Sequence, residues 1–187
     1  MGKMNNHTIY LAALIFAAVL ELGTAFWLLR LKPESRAWTD RVPRNKPAGI
    51  ILGFLALLWC VPHAEPIVFN WMLPLLYPAV IVFTVQAWFF LDYLLSRALG
   101  GLFILSAYYF VYSAFNWHTP YLAVFSILYW LLGIAGICFS GKPCWMRDVL
   151  RLCCDSPRYR YAAAGYSFIL AAASILAAVL TNAGGKA

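Results

Sequence analysis

The residues of this chain suited to chemistry are few, and they fall into three groups. Glu21 stands in AAVLELGTAFW, an acid inside a long apolar run. An ionised carboxylate in hydrocarbon costs about 2.5 kcal/mol or more, so Glu21 is expected to be neutral, paired or turned toward a wet cavity. Such a group can exchange a proton or bind a cation or small ligand, with Gln86 as its companion. The plainer reading is a carboxyl satisfied by a neighbouring helix, through Gln86 or a serine.

The second group is His63 and Glu65 in PHAEP and His118 in FNWHTP. Imidazole and carboxylate are suitable ligands for a divalent metal, and two histidines can clamp a haem iron. The spacing is not diagnostic, because the chain has neither HExxH nor two histidines four apart. Solvated or hydrogen-bonded loop histidines are the commoner case. The third group is the aromatic run SAYYFVYSAFNW, with Tyr108, Tyr109, Tyr112, Phe115 and Trp117. It reads first as an interfacial belt and only second as a pocket for an apolar ligand.

The elements that must position these groups follow from composition. With 64% hydrophobic, 17% aromatic and only 11% charged residues in 187, the chain is far from a soluble domain, where about a quarter are charged. Apolar runs extend over 8–29, 48–61, 74–91, 98–115, 120–139 and 161–180. The expected fold is an all-α integral membrane protein, a single domain over 1–187 made of six transmembrane helices. The second run is short, and five spans plus a re-entrant segment is the alternative. CWMRDVLRLCC predicts a short amphipathic helix over 143–153, with Trp145, Val149 and Leu152 on one side and Arg147 and Arg151 on the other. Those two arginines are candidates for lipid headgroups.

The net charge of +7 is placed by topology. All basic residues except Lys3 and Lys186 fall in the first, third and fifth connections. The positive-inside rule makes those connections cytoplasmic and puts both termini on the non-cytoplasmic side of an inner or plasma membrane. The bilayer is therefore the expected partner, not nucleic acid. Gly49 to Gly53 has GxxxG form and the last run is rich in alanine, which suits a tight bundle, a homo-oligomer or a membrane-complex partner. The five cysteines match no zinc or redox spacing, and the bland expectation is membrane-facing thiols without chemistry.

No GxSxG, Walker or Rossmann signature is present, so an enzyme is the less favoured reading. Three functions remain: an accessory or small-ligand-binding bundle, a proton- or cation-linked transporter using Glu21, and a metal or haem redox protein using His63, Glu65 and His118. No cofactor is strongly implied. The segments FNWMLP at 69–74 and FNWHTP at 115–120 resemble one another, and both read as helix entries. Pro74 and Pro120 suit a first helical turn, Thr119 can cap the fifth span, and Asn70 can serve the corresponding groups in the first copy. That leaves His118 as the residue that helix entry does not explain.

Overall fold

The computed structural model describes residues 2–119 and 121–184, with side chains from 6 to 182. Pro120 and Lys186 lie outside the described residues. Among the described residues the chain is all helical: α1 (Gly2–Leu29), α2 (Arg36–Thr39), α3 (Lys46–Ala64), α4 (Leu76–Phe90), α5 (Leu94–Asn116), α6 (Leu122–Gly141), α7 (Cys144–Asp155) and α8 (Pro157–Gly184). Six helices, over 6–29, 46–64, 70–90, 94–116, 122–141 and 157–182, are long and apolar enough to cross a membrane.

Local chemistry explains several boundaries. The second apolar run, short in sequence, becomes a continuous helix of 19 residues, about 28 Å long at the usual rise. Asn45 caps it, its side chain accepting the Ala48 N–H at 3.1 Å, and Pro47 sits in the first turn, where a missing N–H costs little. The Lys46 ammonium donates to the Trp88 carbonyl, which serves one of the open acceptors at the end of α4. Pro157 likewise opens α8.

The two FNW segments do different things. FNWMLP forms a 3-10 turn, Asn70–Leu75, that leads into α4; Phe69 is its N-cap and gives no side-chain cap. FNWHTP ends a helix: its Phe115 and Asn116 are still in α5, and α6 starts at Leu122. Here the Thr119 N–H donates to the Ala114 carbonyl at 3.0 Å and the His118 N–H to the Phe115 carbonyl at 3.2 Å. His118 itself has φ 49°. This is a Schellman ending with histidine in the left-handed position usually held by glycine. The expectation of a duplicated entry device is thereby corrected, and His118 has a backbone role.

The helices gather into two compact units. The first contains Met1–Ser35, Ala107–Leu131 and Leu152–Ala187. Its main pairing is α1 along α8. On α1 the inward stripe is Tyr10, Leu14, Ala18 and Ala25; on α8 it is Ala164, Ala171, Ser174, Ala178 and Thr181. The small side chains Ala18, Ala25, Ala164, Ala171, Ser174 and Ala178 let two backbones approach, which dispersion rewards.

The second unit contains Arg36–Ser106 and Leu132–Arg151. A Cβ on Gly100 would lie 2.6 Å from the Gly136 carbonyl oxygen and 2.8 Å from the Ser140 nitrogen, so α5 and α6 cross here only because both positions are glycine. Reciprocal bonds lock the crossing: Arg97 Nη1 donates to the Ser140 carbonyl and Ser140 Oγ to that of Arg97. The GxxxG glycine Gly49 meets the backbone of Leu94 and Leu95 in the same way.

Helix α7 has two apolar stripes. Met146, Leu150, Cys153 and Cys154 are buried, while Trp145, Val149 and Leu152 are exposed. The spacing of Trp145, Val149 and Leu152 marks the exposed stripe but not the buried one. Contrary to the expectation of membrane-facing thiols, Cys153 and Cys154 are each 1% exposed. Burial pushes the Cys153 thiol above its ordinary value, with Cys154 adding to the shift and Arg160 opposing it.

Candidate functional site

Glu21 lies one turn from Ala18 and from Ala25, on the stripe of α1 that faces α8. Its carboxyl meets two hydroxyls from other helices. Tyr129 of α6 donates to Oε1 at 3.3 Å, and Ser174 of α8 lies 3.2 Å from Oε2. The two hydroxyl oxygens are 2.8 Å apart, and Ser174 Oγ is 2.9 Å from the Leu170 carbonyl of its own helix. Tyr129 and Ser174 are both fully buried, and Glu21 is half-buried. Phe110 and Phe125 pack against the Tyr129 ring, with centroids at 4.8 and 4.7 Å, and so fix the direction of its hydroxyl.

A proton count shows what this arrangement can do. Tyr129 and Ser174 supply one hydroxyl proton each. If the carboxyl is ionised, both protons go to it, and the Tyr129–Ser174 and Ser174–Leu170 contacts carry none. If it is neutral, its own proton feeds the triad while Tyr129 donates to Ser174 and Ser174 donates to Leu170. Adding or removing one proton therefore rewires bonds between three helices.

A second polar level lies on the same helix pair. Tyr10 and Thr119 share a bond of 3.2 Å, and Thr181 donates to Thr119 at 3.3 Å. The Thr119 hydroxyl thus bonds to Tyr10 and Thr181 in place of the cap expected for the fifth span. Nearby His7 meets the Trp117 ring edge-on at 4.8 Å.

The other sequence candidates are placed as follows. Gln86 is exposed on α4, and the described bonds of the Glu21 carboxyl go to Tyr129 and Ser174 instead. His63 is half-buried in the last turn of α3, and Glu65 is its exposed C-cap, beside Pro66, Leu73, Pro74 and Tyr77 in a shallow open depression. Among the described residues no three His, Cys, Asp or Glu side chains are grouped closely enough to hold a metal ion. Tyr108, Tyr112 and Phe115 are exposed rather than lining an enclosed pocket, with the two tyrosine rings stacked at 5.8 Å.

Of the two headgroup candidates, Arg151 is engaged by Asp40 in a two-pronged pair, Nε to Oδ1 at 2.7 Å and Nη2 to Oδ2 at 2.9 Å. The guanidinium holds the Asp40 carboxyl below its ordinary range. Arg147 gives Nε and Nη2 to its neighbour Asp148, both at 3.1 Å, and keeps Nη1 for another partner.

Tyr129 and Ser174 escaped the sequence reading. A tyrosine at mid-span in SILYWLL, away from either belt, was the available signal; Ser174 was hidden among alanines. Compared with known family models, with curated proteins and with solved structures, the chain matches none.

Proposed function

We propose that this chain is a non-enzymatic, multi-pass membrane protein whose helical bundle binds a small ligand under the control of protonation at Glu21. The supporting observation is the triad itself. A mid-span carboxyl meets hydroxyls from two other helices and remains half-buried, so the bond pattern depends on its proton and the group is not sealed. Intramembrane acids are rarely retained without a task, since each weakens insertion. In this reading the basic connections are cytoplasmic, both termini face the other side, and the bundle sits in an inner or plasma membrane. Proton- or cation-linked transport is the extended form of the same reading.

A second reading, an accessory subunit, is favoured by α4. Only 6% of the apolar window over 70–90 is buried within the chain, leaving a long face for lipid or a partner.

Reconstitution separates the two. In liposomes with a trapped pH-sensitive dye, wild type is expected to show proton uptake after an acid pulse that Glu21→Gln lacks. Equal traces for both proteins, together with a stable partner recovered after gentle solubilisation, would favour the accessory reading and remove Glu21 from the function.

A further inference from the structure

Three chain segments of the second unit converge on one phenol oxygen. Arg44 closes the 3-10 turn Val42–Arg44 just before α3, Tyr93 lies in the break between α4 and α5, and Arg147 stands in the first turn of α7. Arg44 Nη2 donates to the Tyr93 hydroxyl oxygen at 2.6 Å and Arg147 Nη1 at 3.3 Å. The Arg44 guanidinium carbon is also 4.7 Å from the Tyr93 ring centroid. Tyr93 has φ 56°, a left-handed conformation that a bulky residue seldom adopts. Strain of this kind persists where the surroundings hold the residue in place.

The charges around this point do not close. Asp148 answers Arg147 and Asp40 answers Arg151, but among the described residues Arg44 has no carboxylate within ion-pair distance. Asp92 and Asp40 act on it only from farther away. The Tyr93 phenol is no counter-charge for the Arg44 guanidinium, which it meets at 2.6 Å. Tyr93 accepts from both guanidinium groups, and among the described residues none accepts the proton of its hydroxyl.

We infer that Arg44, Arg147 and Tyr93 form a binding site for the phosphate of an anionic phospholipid headgroup. A phosphate offers several acceptor oxygens, which suit the remaining N–H groups of Arg44 and the Tyr93 hydroxyl together. The site sits at headgroup depth, because each residue adjoins the end of a candidate span or belongs to the amphipathic helix that follows one. Apolar surface for acyl chains adjoins it in sequence: Phe89 and Phe90 are 71% and 82% exposed just before Tyr93. This differs from the sequence expectation in its members, since Arg151 is engaged by Asp40 and Arg44 takes its place beside Arg147.

The test is lipid retention by the full chain in mixed micelles of phosphatidylglycerol and phosphatidylcholine, read by native mass spectrometry. Wild type should retain phosphatidylglycerol preferentially. Arg44→Gln/Arg147→Gln should lose that preference by roughly tenfold more than the charge-matched Arg36→Gln/Arg41→Gln. Tyr93→Phe, which keeps the ring, should lose it severalfold and carries the test if the double variant fails to fold. Equal retention of both lipids by wild type, or an unchanged preference in the variants, would overturn the site. Displacement of the lipid by millimolar inorganic phosphate would overturn the lipid assignment in favour of a soluble phosphate ligand.

Discussion

Cutting the Glu21 to Ser174 contact is the sharpest probe of the triad. The perturbation is a double-mutant cycle of Glu21→Leu and Ser174→Ala, so that the cost of moving each side chain cancels and only their coupling remains. The contact is 3.2 Å, a little beyond the usual range of about 2.5–3.0 Å for a hydroxyl donor. A neutral bond of this kind inside a bilayer is worth about 0.6 kcal/mol on average. A hydrogen bond to a charged group is worth about 1.5–3 kcal/mol. The coupling therefore reports the charge on the carboxyl: about 0.6 kcal/mol while it is neutral, and about 1.5 kcal/mol or more once it ionises. Reversible unfolding in mixed micelles, run at several pH values, gives the coupling at each. Tyr129→Phe should cost about 1–2 kcal/mol by itself, since its hydroxyl meets both Glu21 and Ser174. A coupling indistinguishable from zero at every pH would refute the triad, and a coupling that never varies would refute its role as a proton switch.

Two further outcomes follow from particular geometries. His118→Gly should raise stability by about 1 kcal/mol, because glycine adopts the left-handed position without the steric cost a side chain brings; a lower unfolding midpoint would mean that the imidazole, not the backbone, keeps histidine there. Asp40, held below its usual range chiefly by Arg151, contributes stability that is fully present above the ordinary carboxylate value of about 3.9 and lost as pH falls through the lowered folded value. The pair is about a third exposed, so solvent screening keeps its contribution small. Arg151→Gln should be slightly less stable than wild type above pH ~5 and converge with it in stronger acid; a gap that persists in acid would show that the ion pair is not its source.

How much of this was legible in the sequence depends on the range of the interaction. The six long helices were readable because an apolar run long enough to be a candidate span can satisfy its backbone internally only as a helix. The true length of the second helix was also written locally, in the Asn45–Pro47 start, although the apolar run alone hid it. The helix ending at His118 was not legible, because the usual glycine is absent and the residue looks like a ligand. Least legible was the triad. Its members are 108 and 153 positions from Glu21, and neither Tyr129 nor Ser174 stands out until the chain is folded. Chain-distant partners leave no mark on local pattern.

The crossing at Gly100 and Gly136 bears on how this sequence can drift. Many of its large apolar side chains are exposed and can be exchanged for one another at little cost, since they make few contacts within the chain. At Gly100, Gly136 and Gly49 even one added carbon would meet main-chain atoms that have nowhere to go, whereas Gly23, Gly101, Gly141 and Gly165 have open space around them. In a library of random variants selected for folding, the first three positions should come back as glycine and the other four should fill with alanine and larger residues. Three letters of the twelve glycines would then identify distant relatives better than any of the aromatic segments that first catch the eye.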